Sequence, residues 1–317
     1  MKALIIDRVS SLVASGLKNY GFEVDINILP GRDKLIKLLP SYDLLVMRVD
    51  PKIDKEVLDA AKGHIKMIAV CSAGTNHIDL TYAKKLGIAV QNAPGINRNA
   101  VAELTISKML DLSRMTMVAN AEVQEEGIWD KYKYTGHELK GHTLGIIGLG
   151  KIGKRVAELA HAFGMKVMAY DPYVPDSDFE QYDVQKIGTV NEICSSCDYI
   201  TVHTPITDET RNMISEEQFS LMKPTAFVIN CARGGIVNEQ AAASYLKQGK
   251  IAGIGLDVIA NELAGKGLSD HAKLSSPLFG QKGFVVSPHI GGSTHEAYDG
   301  IGTFIVDKVA QYYGLKK

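Results

Sequence analysis

The sequence has little of several residue types that mark specialised classes of protein. It contains four cysteines and one tryptophan in 317 residues, and its 35 basic side chains are balanced by 36 acidic ones. That balance leaves no basic excess of the kind that binds nucleic acid or anionic membranes. No apolar run reaches the length of a membrane-spanning helix, and the first residues contain too few apolar side chains for a signal-peptide core. We therefore expect a globular cytoplasmic protein.

Two of the cysteines form the pattern Cys194-x-x-Cys197, which occurs in redox and zinc sites. The sequence offers no second pair that would complete a zinc site. The two residues also lie at the end of a predicted helix, just before an apolar run at 199–202 that is predicted to be a strand. A buried structural pair is the preferred interpretation, and we predict no metal site.

Residues 143–171, TLGIIGLGKIGKRVAELAHAFGMKVMAYD, form the most informative stretch. They begin with a short apolar run at 143–147, which is typical of a buried strand in a parallel sheet. Gly148, Gly150 and Gly153 follow with the spacing G-x-G-x-x-G. In a dinucleotide-binding fold the first glycine permits the tight turn and the second lets a pyrophosphate approach the backbone. The third lets helix and strand pack closely.

A carboxylate ends the same unit. A segment with apolar residues at helical spacing leads to a predicted strand at 166–170, and Asp171 follows directly. A carboxylate at this position accepts hydrogen bonds from both hydroxyls of an adenosine ribose, whereas it repels a 2′-phosphate. Glycines alone often serve only turns, but here strand, glycine motif, helix, second strand and acid occur in register. The sequence therefore predicts a bound dinucleotide, with NAD favoured over NADP.

Alternating strand and helix patterns predict two α/β domains. Residues 1–98 have no glycine motif of their own, so we expect them to bind the substrate. Residues 99–289 contain enough predicted strands for a complete dinucleotide-binding sheet, and the pattern changes after Pro288. We predict two Rossmann-like parallel-sheet domains with an active cleft between them. The substrate domain would be discontinuous, with residues 290–317 as its second part.

The segment that joins the two predicted domains has its own pattern. Residues 99–124 carry apolar side chains on one face and are predicted to form one long helix. The next stretch, residues 127–140, is polar and aromatic and contains Trp129, the one tryptophan. This stretch would suit either an exposed loop or a contact with a second copy of the chain.

Two places in the first domain are candidates for binding an anionic substrate. Ser72, Ala73 and Gly74 follow a predicted strand, at the edge where α/β sheets bind ligands. Small residues there leave backbone amides available to a carboxylate. Arg48 and Lys52 flank the end of another predicted strand and could neutralise a negative charge. Ordinary solvated surface charge explains these two cations equally well.

Arg233, Glu262 and His289 follow predicted strands late in the chain. An arginine can bind the carboxylate of a 2-keto acid and polarise its keto oxygen, and a histidine can give a proton to the developing alkoxide. A carboxylate beside the histidine favours the imidazolium. Each residue alone could be a surface, capping or loop residue. Together, downstream of the glycine motif, they predict hydride transfer between NAD and a 2-keto acid.

Over nearly its whole length the sequence resembles the D-isomer-specific 2-hydroxyacid dehydrogenases. The resemblance depends on GLGKIG with Asp171, YITVHTPITDETRNMI, INCARGGIVNE, GLDV with Glu262, and SPHIGGSTHEA. The stretch PHIGGST is similar to the phosphoglycerate branch of the family. The resemblance implies the catalytic roles just given for Arg233, Glu262 and His289. It also implies cofactor contacts at Lys151, Ile152, Thr204, Cys231, Ala232, Arg233, Asp257, His289, Gly291 and Gly292, with Asp257 binding the nicotinamide carboxamide.

The activity that the resemblance implies is the NAD-dependent oxidation of 3-phospho-D-glycerate to 3-phosphohydroxypyruvate, the entry to serine synthesis. It also implies a homodimer formed through the NAD-binding domains. A broader reductase of hydroxypyruvate or glyoxylate is the enzymatic alternative, and a non-catalytic NAD sensor is the alternative of another class. The sequence departs from the family pattern at Leu263, where proline is usual, and at Asp50, near which some phosphoglycerate enzymes have a second arginine. It stops soon after its last helix, so we expect no C-terminal serine-sensing domain.

Overall fold

The computed structural model describes residues 1–262 and 274–316. These residues form two α/β units, each built on one parallel sheet. The first unit comprises Met1–Asn97 and the residues from Gly292 onward, and the second comprises Arg98–Glu262 and Leu274–Gly291. The predicted fold class, two parallel-sheet α/β domains, is therefore confirmed. No helix among the described residues is long and apolar enough to cross a membrane.

The first unit contains a five-stranded sheet of order β2-β1-β3-β4-β5. Its strands are β1 Lys2–Ile5, β2 Glu23–Ile26, β3 Leu44–Met47, β4 Met67–Val70 and β5 Ala89–Asn92. Its first helices are α1 Ser11–Asn19, α2 Arg32–Leu38, α3 Lys55–Ala61 and α4 Leu80–Lys85, and a 3₁₀ turn spans Leu39–Ser41. Every side chain of β3 and β4 is buried, as expected for strands covered on both faces.

The second unit contains a seven-stranded sheet of order β12-β11-β10-β9-β6-β7-β8. Its strands are β6 Thr143–Ile147, β7 Lys166–Tyr170, β8 Gln185–Lys186, β9 Tyr199–Val202, β10 Phe227–Asn230, β11 Gly253–Leu256 and β12 Phe284–Val286. Its helices are α5 Arg98–Arg114, α6 Thr116–Glu126, α7 Lys151–Ala162, α8 Asp176–Gln181, α9 Val190–Ser196, α10 Glu216–Leu221 and α11 Glu239–Lys247. The strand order reverses beside β6, which is where open α/β sheets bind their ligands.

Two apolar clusters cover opposite faces of the seven-stranded sheet. Ile146 belongs to one cluster and Ile147 to the other, because successive side chains of a strand point to opposite faces. On the face covered by α5, two glycines of β11 make room for the helix. Cβ atoms on Gly253 and Gly255 would come 3.0 Å from the Leu112 side chain and 3.2 Å from Lys108 Cβ. The helix α5 therefore lies close against the middle of β11.

The predicted single helix over residues 99–124 is interrupted. Met115 has φ +52°, and it separates α5 from α6. The helix α5 packs on the second unit's sheet, whereas α6 has no buried side chain. The interpretation of one continuous helix was therefore wrong at its centre.

One more helix, α12 His295–Tyr312, completes the first unit. It packs against α1, and small residues allow the close approach. A Cβ on Gly16 would come 2.8 Å from Val306 Cγ1, and one on Gly302 would come 3.1 Å from Ser10 Cβ. The C-terminal helix thus shares a buried core with the N-terminal strands.

Candidate active site

The glycine motif forms the turn between β6 and α7. Gly148 has φ +97°, and a Cβ there would come 2.9 Å from the main chain of His203, so the turn requires glycine. A Cβ on Gly153 would come 2.2 Å from the carbonyl oxygen of Gly148. Gly150 precedes α7 without a capping side chain, and nothing lies within 4 Å of its Cβ position. The start of α7 therefore offers open space and main-chain amides to a pyrophosphate.

Asp171 lies beside this turn, directly after β7. Its Oδ2 accepts a hydrogen bond of 2.8 Å from the amide of Leu149, and its Oδ1 accepts one of 2.9 Å from the amide of Tyr173. A carboxylate has further lone pairs on both oxygens, so these bonds hold it in place without exhausting its capacity. Lys151 and Ile152, the other predicted contacts here, are the first two residues of α7. The geometry fits the adenosine and pyrophosphate end of NAD.

Two polar side chains at the end of β9 lack hydrogen-bond partners among the described residues. They are Thr204, through its hydroxyl, and His203, through both ring nitrogens, and all three atoms are buried. Thr204 Cγ2 lies 2.9 Å from the Cβ position of Gly148, so the Thr204 side chain lies beside the glycine turn. A buried polar group without a partner is uncommon, and a ligand would supply one. No sequence motif marks His203 as functional, although it follows an apolar strand directly.

The predicted catalytic histidine and glutamate lie in contact. His289 Nδ1 is 2.5 Å from Glu262 Oε2, so the ring N–H donates to the carboxylate. Glu262 is fixed in turn, because its Oε1 accepts a hydrogen bond of 3.1 Å from the amide of Ile259. His289 has φ +54°, a backbone conformation uncommon outside glycine and often found at functional sites. This arrangement leaves Nε2 of the imidazole available for proton transfer.

Arg233 lies in the loop after β10, and Asn230 shapes that loop. Asn230 Oδ1 accepts from the amide of Ala232 at 2.9 Å, and its Nδ2 donates to the carbonyl oxygen of Arg233 at 2.9 Å. The guanidinium of Arg233 donates to the carbonyl oxygen of Ala232 at 2.7 Å. A Cβ on Gly234 would come 2.0 Å from the carbonyl oxygen of Ile259, so this loop lies against the segment that fixes Glu262. Arg233 itself is bonded to its own loop and is not paired with Glu262.

Asp257 connects the end of β11 to the histidine loop. Its carboxylate is 1 % exposed. Oδ1 accepts from the Ser287 hydroxyl at 2.5 Å and the Ile290 amide at 2.9 Å, and Oδ2 accepts from the Gly291 amide at 2.7 Å. These bonds flank His289, whose amide donates to the carbonyl oxygen of Asp257 at 2.8 Å. The carboxylate predicted to bind the nicotinamide carboxamide thus also positions the histidine.

Other predicted cofactor residues occupy neighbouring positions. Cys231 and Ala232 follow β10 directly and are buried. Gly292 falls in the first unit, where a Cβ on it would come 2.6 Å from Asn97 Nδ2. Leu263, the departure noted after Glu262, lies outside the described residues.

Asp7 organises the loop that carries Arg48. Its Oδ2 accepts hydrogen bonds from the amides of Arg48, Val49 and Asp50 at 3.0, 2.9 and 3.3 Å. The Arg48 guanidinium lies 4.7 Å from the ring centroid of Tyr298 and donates to the Ser293 hydroxyl at 3.2 Å. Arg48 is therefore held in a fixed position rather than extended into solvent. Asp7 and Tyr298 are far from Arg48 in sequence, and no motif predicts their contacts with it.

The small-residue turn after β4 lies against the same loop. The Ser72 hydroxyl lies 3.1 Å from the carbonyl oxygen of Arg48 and 2.9 Å from that of Gly74, as a donor that the two oxygens share. The carbonyl oxygen of Ala73 accepts from Asn92 Nδ2 at 2.6 Å. The structure thus brings Arg48 together with Ser72 and Gly74, while Lys52 is exposed.

Asp50 is buried beside this group. Its burial and the neighbouring charge of Asp7 raise the pKa of the Asp50 carboxyl above its ordinary value.

The cysteine pair is buried in the core beneath β6. A Cβ on Gly145 would come 2.7 Å from Cys197 Sγ. Burial raises the pKa of Cys194 and of Cys197 to about 12, so both thiols are protonated and poor nucleophiles. No group of three or more potential ligands that could hold a metal ion occurs in the part of the chain that the structure describes.

Comparison with known proteins connects this geometry to one family. Residues 106–291 match the model for the D-isomer specific 2-hydroxyacid dehydrogenase, NAD binding domain. D-3-phosphoglycerate dehydrogenase of Methanocaldococcus jannaschii is 36 % identical over 98 % of this chain, which spans 57 % of that relative's length. Hydroxypyruvate reductase of Thermotoga maritima is 37 % identical over 90 % of this chain and 89 % of its own length.

Solved structures agree with the sequence relatives. D-lactate dehydrogenase of Aquifex aeolicus, determined with NAD and lactic acid, matches with a TM-score of 0.83 and 30 % identity. The match covers 98 % of this chain and 96 % of that one. The matched domain model contains the glycine turn, Asp171 and the His289–Glu262 pair, so the residues that fit NAD lie within the region that defines the family. The chain belongs to the D-isomer-specific 2-hydroxyacid dehydrogenase family.

Proposed function

We propose that this protein oxidises 3-phospho-D-glycerate to 3-phosphohydroxypyruvate with NAD, the reaction at the entry to serine synthesis. The observation that carries the dehydrogenase activity is the 2.5 Å contact between His289 Nδ1 and Glu262 Oε2, in the same unit as the glycine turn. The choice of substrate is supported by relatives named D-3-phosphoglycerate dehydrogenase, two of them 36 % and 38 % identical over 98 % of this chain. It is also supported by the fixed cation Arg48.

The proposed mechanism assigns one task to each catalytic side chain. The glycine turn and Asp171 would hold NAD, which would supply the acceptor for the hydride of the carbon that carries the substrate hydroxyl. His289 takes the hydroxyl proton on Nε2 and returns it in the reverse direction. Glu262 orients the ring through Nδ1 and stabilises the imidazolium that forms. Arg233 binds the substrate carboxylate and stabilises negative charge on the reacting oxygen.

Arg48 and Lys52 are assigned to the phosphate group of the substrate. Arg48 is held by Tyr298 and Ser293, so little side-chain entropy would be lost when an anion binds. Lys52 is exposed, and it can supply a second positive charge. The main-chain amides of Ser72, Ala73 and Gly74 are assigned to the carboxylate of the substrate.

A hydroxypyruvate reductase is the second candidate. The Thermotoga maritima relative of that name matches 89 % of its own length, a larger share than the phosphoglycerate relatives do. An enzyme of this kind would not require a phosphate site, and Arg48 would then serve only to shape its loop.

The substrate is tested by NADH oxidation with 3-phosphohydroxypyruvate, hydroxypyruvate, glyoxylate and pyruvate. The proposal predicts the largest kcat/KM for the phosphorylated acid, and a loss of about tenfold or more for that acid alone in Arg48→Met, which removes one charge contact. Arg8→Met is the matched control, because Arg8 is an exposed cation that follows Asp7 in the chain and is assigned no role. Similar rates on all four acids would favour the reductase. NADH binding without turnover of any acid would favour a cofactor sensor.

The proposal includes a homodimer formed through the NAD-binding unit. The helix α6 has no buried side chain, and Met117 and Val118 on it are 52 % and 48 % exposed. The following loop presents Trp129 at 88 % and Tyr132 at 77 % exposure. Glu122 holds this loop on α6 by contacts with Lys133 and with the Tyr134 hydroxyl. An exposed apolar and aromatic face of this kind is typical of a protein interface.

A further inference from the structure

Lys108 is a buried cation in the second unit. It is 4 % exposed, and no other lysine or arginine among the described residues is buried to this extent. A buried charge is costly unless an opposite charge lies near it. The side chain therefore has to be explained by its surroundings, and none of the roles assigned above uses it.

The position of Lys108 follows from the packing of α5 on the sheet. Its Cβ lies 3.2 Å from the Cβ position of Gly255 on β11, and Asp257 follows two residues later, directly after the strand. Residues two apart on a strand face the same side. Thr105, one turn earlier on α5, is buried, and its hydroxyl donates to the carbonyl oxygen of Val101 on the same helix, while α5 also packs on β10. The helix thus holds Lys108 at the carboxyl ends of β10 and β11, where the predicted cofactor residues lie.

The groups that act on Lys108 identify its partner. Cys231, Asp257 and Asp111 are the ionisable groups in electrostatic range, and they oppose the lowering of the Lys108 pKa by burial. The Cys231 thiol is protonated at neutral pH, because burial raises its pKa to about 12. Asp111 is only partly buried and accepts from the Thr116 hydroxyl at 2.5 Å. Asp257 is 1 % exposed, and the three groups that donate to its carboxylate are neutral, so its negative charge is the one that Lys108 can balance.

We propose that Lys108 acts on the cofactor through Asp257, balancing that carboxylate beneath the nicotinamide and thereby favouring NADH over NAD⁺. The nicotinamide ring is positively charged in NAD⁺ and neutral in NADH. An unbalanced carboxylate next to the ring would stabilise the oxidised form selectively. With Lys108 in place the carboxylate is balanced, and this selective stabilisation is reduced. The inference rests on the assignment of the nicotinamide to Asp257 in the proposed function.

The test compares the dissociation constants of NADH and NAD⁺, measured by titration calorimetry, in the wild type and in Lys108→Met and Lys108→Gln. Both neutral variants should lower the ratio Kd(NAD⁺)/Kd(NADH) by about tenfold, the order expected for a unit charge acting over several ångströms at an effective dielectric constant of about 20. Lys108→Arg keeps the charge and should keep the ratio. Leu112→Met, one turn later on the same face of α5, controls for altered packing and should also leave the ratio unchanged.

An unchanged ratio in the folded neutral variants would overturn the inference, as would an equal rise of both constants or an equal effect of Leu112→Met. Failure of both neutral variants to fold would make Lys108 a structural residue of the core and would also overturn it. A wild type that binds neither cofactor would instead contradict the proposed function itself. The ratio of the two constants is informative because a purely structural role would weaken both forms alike.

Discussion

The buried carboxylate of Asp257 fixes the loop that carries His289. Three donors on both sides of His289 converge on its two oxygens, so the loop has little freedom to change conformation. The positive φ of His289 is maintained by these bonds. His289, the proposed proton-transfer group, is therefore positioned by the bonds of the Asp257 carboxylate, while Glu262 controls the orientation of the ring.

Burial of His203 should make the stability of the folded protein sensitive to acid. Burial lowers its pKa to about 4 from an ordinary value of 6.5, so the unfolded chain takes up the proton first as the pH falls. Stability is then lost between about pH 6.5 and pH 4, by on the order of 3 kcal/mol in total. His203→Leu has no titrating group, so its melting temperature should fall less between about pH 7 and pH 5 than that of the wild type.

Thermal unfolding followed by circular dichroism without cofactor measures this difference. His64→Gln is the control, because His64 is exposed and should leave the pH dependence unchanged. Equal pH dependence in His203→Leu and the wild type would show that His203 is protonated in the folded state.

At the scale of elements, the turn between β6 and α7 contains glycines of two kinds: Gly153 is required by packing, and Gly150 leaves space for a ligand. Gly153→Ala would place a methyl group 2.2 Å from the Gly148 carbonyl oxygen, and this clash should cost about 1–3 kcal/mol of stability. Gly150→Ala meets no atom within 4 Å and has φ −74°, which any residue adopts. Its stability should change by less than about 0.5 kcal/mol, yet its Kd for NADH should rise, by about tenfold or more, because the methyl group occupies the pyrophosphate approach.

The melting temperature of each variant measures its stability, and titration with NADH measures its Kd. Together they test both predictions. The variants serve as controls for each other, since one changes packing and the other changes access. Normal NADH binding by Gly150→Ala would mean that the pyrophosphate does not approach the backbone at this residue.

Several elements were predictable because their patterns are local. The strands at 143–147, 166–170 and 199–202 have the bounds that their apolar runs indicate, since buried parallel strands read as continuous apolar segments. The edge strand β8 spans two residues and is too short to produce a pattern. The break at Met115 is invisible in sequence, because neither glycine nor proline marks it.

Contacts between distant residues set the limit of prediction for the site. The glycine motif and Asp171 are close in sequence and share one supersecondary unit, so their proximity follows from the pattern. Asp7 shapes the Arg48 loop across 41 residues, and Ser293 reaches Arg48 across 245. Lys108 gives no signal either, because a lysine on an amphipathic helix is usually solvated. Such pairings depend on the tertiary fold and not on local spacing.

At the scale of the whole molecule, one fold accommodates several substrates. Relatives and solved structures that cover most of this chain are named for phosphoglycerate, hydroxypyruvate and lactate. The substrate is therefore decided by a few side chains rather than by architecture, which is why Arg48 and Lys52 are central to the proposed function.

The proposed homodimer is the other whole-molecule expectation. Replacing two exposed apolar residues by charged ones, Met117→Glu with Trp129→Glu, should convert a dimer into monomers. The free energy of unfolding of the monomer should fall by no more than about 1 kcal/mol, since neither side chain is buried in the chain itself. Light scattering after size-exclusion chromatography gives the mass directly. The exposed Phe163→Glu is the control, and a mass unaffected by the double variant would place the interface elsewhere.

We propose above all that His289, oriented by Glu262, transfers the proton that accompanies hydride transfer. The kcat of NADH oxidation with 3-phosphohydroxypyruvate, measured for the wild type and His289→Ala alongside NADH binding to both, tests this role. We expect turnover by the wild type and a loss of roughly 10²–10⁴-fold in the variant, with NADH still bound. Undiminished turnover by His289→Ala would mean that another group transfers the proton.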